Sequence, residues 1–178
     1  QRVFSIENIE KQINEKALNY TSNKRIVLVE ALKKQYESVD DKQLVSENIT
    51  LLDYTKTFTI TTGHQLSVFT GPLYFVVKIL QVIKLCETLK KKYPENNFVP
   101  VFWMASEDHD FEEINHIYLG GKRVEWKTDQ KGPVGRILLK DSKQFKDQVR
   151  TLLKDDKRYS ETLNQLDEIF EESKTLAH

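Results

Sequence analysis

Thr57-Phe-Thr-Ile-Thr-Thr-Gly-His-Gln-Leu-Ser-Val-Phe-Thr-Gly-Pro-Leu-Tyr-Phe-Val-Val-Lys78 reads as a strand, a polar turn and the start of a helix. The β-branched and aromatic residues from Thr57 to Thr62 predict the strand, and Gly63 is expected to end it where φ is free to turn positive. Gly71-Pro72 predicts a helix opening, with Pro72 in a first turn that does not need its missing N–H. Leu73, Val76, Val77, Leu80, Ile83, Cys86 and Leu89 then recur at helical spacing. Phe98-Val-Pro-Val-Phe-Trp-Met-Ala105 is an apolar run too short for a helix, and it predicts a strand buried on both faces, against which Pro100 counts unless it is the first strand residue. Residues 57–105 therefore predict a βαβ unit, whose right-handed crossover makes the strands parallel. Gly63-His64-Gln65 and Ser106-Glu107-Asp108-His109-Asp110 then share the sheet edge where ligands bind in open parallel sheets.

Outward from this unit, residues 5–52 read as three helices. Their stripes are Ile6, Ile9, Ile13 and Ala17, then Ile26, Val29, Leu32 and Tyr36, then Leu44, Val45, Ile49 and Leu52, with Asp40-Asp41 capping the third. No residue of this region stands out chemically. Residues 111–178 predict a short helix over 111–115, a hairpin about Gly120-Gly121, and two helices. Ser142 is expected to cap a helix carrying Phe145, Val149 and Leu152, and the last helix carries Leu163, Leu166, Ile169 and Phe170. The fold class is α/β, a parallel sheet core with amino-terminal helices, a small hairpin and further helices. Without a third parallel strand the core reads as incomplete, the amino-terminal part of a longer chain.

With 178 residues, 27 Lys plus Arg and 27 Asp plus Glu, no global charge points to nucleic acid or an acidic membrane surface. An apolar fraction of 39% and a charged fraction of 30% fit a folded chain with solvated helices. No run is long enough to span a membrane and no signal peptide is recognisable, so a cytoplasmic setting is expected. The single cysteine, Cys86, lies on an apolar helix face and predicts an inert buried thiol. Asn19-Tyr-Thr21 and Asn48-Ile-Thr50 are read as chance matches to the glycosylation pattern.

Two clusters carry the candidate chemistry. Gly63, His64 and Gln65 follow the first strand, and Thr70 and Gly71 precede a helix whose amino terminus suits an anion. Tyr74 lies in the first turn of that helix, and Lys78 falls seven residues after Gly71 on nearly the same face. Glu107, Asp108, Asp110, Glu112 and Glu113 crowd five carboxylates around His109, so a cation, a metal or basic groups are expected nearby. His109, Glu113 and His116 share a face if the segment is helical, and with Asp108 they define an alternative metal-dependent hydrolase. A noncatalytic helical interaction module is the third reading. Neither G-x-G-x-x-G nor G-x-x-x-x-G-K-[ST] is present.

Thr62-Gly-His-Gln65, Phe69-Thr-Gly-Pro-Leu-Tyr74 with Lys78, and Pro100-Val-Phe-Trp with Glu107-Asp-His-Asp-Phe-Glu-Glu-Ile-Asn-His116 resemble the bacillithiol-biosynthesis cysteine-adding enzyme family. The resemblance covers about residues 50–178. It implies a Rossmann-like core, a coiled coil used for homodimerisation, and joining of L-cysteine to glucosaminyl malate. Members commonly carry Gln where His64 stands, which implies a binding rather than a proton-transfer role there. With the resemblance, Asp108, His109 and Asp110 are the expected catalytic residues. Gly63, His64, Gln65, Thr70, Gly71, Tyr74, Lys78, Glu107 and Asn115 are the expected substrate-binding residues. No metal is expected, and the residues leave open whether ATP or another nucleotide activates the cysteine carboxylate.

Overall fold

A computed structural model describes residues 5–39 and 42–178, with the side chains of Glu7 and Thr70 outside that description. The expected cap at Asp40-Asp41 also lies outside the described residues. The chain forms α1 (Ile6–Asn19), α2 (Ser22–Gln35), α3 (Gln43–Leu51), β1 (Thr57–Gln65), α4 (Leu73–Lys92) and β2 (Asn97–Ala105). α5 (Phe111–Ile114), β3 (His116–Leu119), β4 (Lys122–Glu125), α6 (Lys143–Leu153) and α7 (Ser160–Glu172) follow. β1 and β2 pair in a two-stranded parallel sheet joined by the α4 crossover, as the sequence predicts. Two compact units divide the chain, Gln1–Thr61 with Leu80–Val101, and Thr62–Ile79 with Phe102–His178.

In the first unit, Ser5 caps α1 by accepting from the Asn8 N–H at 3.2 Å. Ile13, Cys86, Leu89 and Phe98 form one buried cluster, and Val29, Ile49, Leu52 and Val99 another. The predicted stripes are turned slightly. Ala17 is exposed, and Ile26 and Leu44 are 47% and 75% exposed, while Arg25 is buried with Val29. Arg25 displaces Ile26 from the buried face because its guanidinium donates to the carbonyls of Leu52, Thr55 and Thr57 at 2.9–3.0 Å. Burial pushes the Cys86 thiol up to about 11, in keeping with an inert thiol.

The expectation of a second strand buried on both faces holds only at its start. Phe98 and Val99 are buried, whereas Trp103 and Met104 are 63% and 41% exposed. Among the described residues this sheet has two strands, so both are edge strands and neither face is fully covered. Pro100 is the fourth strand residue rather than the first, which an edge strand tolerates. For the same reason only Cys86 and Leu89 of the α4 stripe are buried, and Leu73, Val77, Leu80 and Ile83 stay exposed. The helix begins at Leu73, with Pro72 immediately before it.

In the second unit, β3 and β4 pair antiparallel from His116↔Glu125 to Leu119↔Lys122. Gly120 and Gly121 close the hairpin with φ of 54° and 76°, the two left-handed positions that a tight two-residue turn demands. One core holds Trp126, Phe145, Val134, Val149, Leu163 and Leu166. Asp167 of α7 pairs with Lys146 at 3.4 Å and with Arg150, both on α6. Ser142 stands at the α6 N-cap, but its hydroxyl donates to the Leu139 carbonyl instead of accepting from a helix N–H. Ile169, expected in the α7 stripe, is 57% exposed because Leu163 and Leu166 set the buried face.

Candidate functional site

The residues around the ends of β1 and β2 belong to the second unit. Gly63 does not end β1, which runs on to Gln65, and its φ is not positive. A Cβ there would stand 3.0 Å from the Trp103 carbonyl oxygen and 3.1 Å from the Trp103 Cβ, so the glycine serves a close strand approach. Lys78 donates from Nζ to the Gly63 carbonyl at 2.7 Å. Its ammonium thus reaches the end of β1 rather than Gly71. It also lies 5.8 Å from the centre of the Tyr74 ring.

His64 contacts the Gln65 carbonyl through Nδ1 at 2.8 Å and the Tyr74 hydroxyl through Nε2 at 2.7 Å. A carbonyl only accepts, so Nδ1 carries the proton, and in the neutral ring Nε2 accepts from Tyr74. Phe75 stands edge-on to the imidazole at 5.4 Å and fixes its plane.

Gln65 donates its amide to the Asp108 carboxylate, which joins the ends of the two strands. The other Asp108 oxygen accepts from the backbone N–H of His109 at 2.6 Å and of Asp110 at 3.0 Å. The Gln65 amide first, then the Asp110 N–H, hold this carboxyl below its ordinary range. Asp110 caps α5 by accepting from the Glu113 N–H at 3.2 Å. Backbone N–H groups therefore hold two of the five carboxylates, Asp108 and Asp110, for which the sequence suggested a cation. Glu107 and His109 are exposed, and the His109 ring takes part in none of these bonds.

The proposed shared face of His109, Glu113 and His116 does not form. α5 is only four residues long, His109 precedes it and His116 begins β3. Among the described residues no three His, Cys, Asp or Glu side chains come together as metal ligands. Asn115, expected to bind substrate, is 5% exposed and serves the hairpin. It donates to Glu125 at 3.4 Å and accepts from His116 at 3.2 Å.

The Thr70 side chain lies outside the described residues, but its neighbours shape the turn. Gly71 has φ 63° and ψ −154°, a conformation essentially closed to other residues, and a Cβ there would stand 2.7 Å from the Ser67 Cβ. Phe69 adopts φ 53°, a left-handed strain that its packing against Phe145 at 6.1 Å offsets. Neither Phe69 nor the loop behind the acidic turn is among the site residues expected from the sequence. There the Val134 N–H donates to the Asp108 carbonyl at 2.7 Å, and the Gly135 N–H to the Ser106 carbonyl at 3.0 Å. Gly132-Pro133 and Gly135 mark a loop in the sequence, and their close spacing also fits a close backbone approach.

Residues 1–178 match the family model described as bacillithiol biosynthesis BshC, N-terminal Rossmann-like domain. The chain belongs to this family. A Flavobacterium psychrophilum relative named "Putative cysteine ligase BshC" is 57% identical over 142 residues, which cover 79% of this chain and 27% of the relative. A Flavobacterium johnsoniae protein of the same name is 52% identical over 143 residues, 80% of this chain and 27% of its own length. One from Natranaerobius thermophilus is 32% identical over 184 residues, 97% of this chain and 33% of its own. The matches thus span about a quarter to a third of the length of these three relatives. The Rossmann-like fold class expected from the sequence is that of the family. No helix among the described residues is long and apolar enough to cross a membrane.

Proposed function

We propose that the intact protein joins L-cysteine to glucosaminyl malate through an amide bond, the last step in making bacillithiol. Membership of the BshC family supports this reading, and so does the name of its relatives. The observation that carries it here is the bond from Gln65 to Asp108, which couples a cationic strand end to an anionic one. On the β1 side, Lys78 and the His64–Tyr74 pair suit a carboxylate or its activated form. On the β2 side, Asp108 stays ionised and suits an ammonium group.

Amide formation requires the amine to reach the carboxyl carbon neutral, so a nearby group must take its proton. Asp108 is a poor acceptor because its hydrogen bonds favour the anion, and Asp110 is engaged as a helix cap. His109 is exposed and uncommitted in this network, so we assign it the proton and assign Asp108 the orientation of the amine. The homodimer and the cytoplasmic setting belong to the same proposal.

The test is bacillithiol formation in a strain lacking its own gene, complemented with the intact protein and measured by thiol labelling and mass spectrometry. Wild type restores bacillithiol, and Lys78→Met and His109→Ala lower it by about 100-fold, the range for loss of a positioned charge or base. Bacillithiol persisting in the uncomplemented strain, or near-normal levels with both variants, would overturn the reading. Light scattering of the purified intact protein at the mass of one chain would remove the homodimer.

A further inference from the structure

We propose that the first unit carries a separate ligand site, a cavity that takes a small amphipathic monocarboxylate with its carboxylate on Arg25. The cavity has a volume of about 490 Å³, within the range of small-molecule sites, and all its lining residues lie in that unit. Ile9, Ile13, Phe58 and Phe98 supply an apolar wall, and Lys16, Tyr20 and Arg25 a polar one. Among the described residues the lining contains two cations, Lys16 and Arg25, and no Asp or Glu.

Arg25 is the residue that asks for a ligand. It is 3% exposed, yet its three hydrogen bonds all go to backbone carbonyls, and among the described residues no carboxylate balances the guanidinium. Its Nε–H is buried with no acceptor. Tyr20 covers the cation at 5.0 Å, which softens the charge without neutralising it. A buried cation without a counter-ion is costly to keep, and a carboxylate in the cavity beside it supplies the counter-charge. The apolar wall adds the second requirement. A compact dianion would lose its hydration against Ile9 and Phe98, whereas an alkyl or aryl chain gains by covering them. An amine would meet Lys16 and Arg25 with like charge. The site is thus selective for a chain ending in one carboxylate, and it does not depend on the proposed reaction.

The probes are octanoate, octanol and octylamine, titrated calorimetrically into the intact protein. Octanoate is expected to bind saturably, one molecule per chain, at least about tenfold more tightly than the other two, the scale of one charge-assisted hydrogen bond. Arg25→Met should remove that preference. Because Arg25 also ties α2 to the α3 carboxyl end, a variant that fills the cavity and leaves those bonds intact serves as the second arm. Ile9→Trp should abolish octanoate binding while circular dichroism and melting temperature stay near wild type. Absence of saturable octanoate binding, equal affinity for all three probes, or unchanged binding in a folded Ile9→Trp protein would overturn the proposal and leave Arg25 a purely structural clamp.

Discussion

Asp108 holds its turn as an anion, because the Gln65 amide and two backbone N–H groups all point at its carboxylate. With the folded value below the ordinary 3.8, the contribution of the turn to stability is complete above 3.8 and is lost as pH falls through the lowered value. Carboxyl NMR titration should therefore find Asp108 protonating later on acidification than an ordinary aspartate. Asp108→Asn keeps an oxygen for the N–H groups, and an inverted Gln65 amide keeps the cross-strand bond, so the melting temperature should stay near wild type. Asp108→Ala removes every acceptor and should melt lower. Both should cut bacillithiol formation by about 100-fold if the carboxylate orients the amine. Equal melting temperatures for the two would remove the turn-holding role, and near-normal formation by both would remove Asp108 from the site.

At the scale of elements, the site rests on a loop whose importance lies in one missing methyl group. A Cβ on Gly135 would stand 2.9 Å from the Ser106 carbonyl oxygen and would strike the Ser106 side chain. Its φ is not in the left-handed region, so the cost of Gly135→Ala is steric, about 1–3 kcal/mol by the measure of other overpacked sites. The denaturant midpoint should fall with an unchanged slope, and under the proposed function bacillithiol formation by the intact protein should fall further than stability because Ser106–Asp108 is displaced; an unchanged midpoint would show that the loop has room. The βαβ order, the glycine hairpin and the short α5 were legible because each is written in local spacing and turn chemistry. The closeness of Gln65 and Asp108 followed from the parallel order of the two strands. What was illegible depends on distant partners. Gly63 answers to Trp103, Arg25 to carbonyls about thirty residues away, and Asn115 to the far strand of its hairpin. A local pattern reports a residue type and a spacing, not who will stand opposite.

For the whole molecule, the two units divide at Thr61–Thr62, Ile79–Leu80 and Val101–Phe102, so β1, α4 and β2 each contribute to both. Neither unit can lose these elements without taking supports from the other, so we expect them to unfold together. Each has its own reporter. Cys86 is buried in the first unit with a thiol held protonated near neutral pH, so labelling by a thiol reagent tracks opening there. Trp126 is 1% exposed in the second unit, and replacing the exposed Trp103 by Phe leaves it as the sole indole of these 178 residues. In urea, Cys86 labelling and Trp126 fluorescence of the Trp103→Phe chain of residues 1–178 should give coincident midpoints and slopes. Labelling of Cys86 well before the Trp126 transition would show instead that the first unit opens alone and that the shared elements do not transmit its loss.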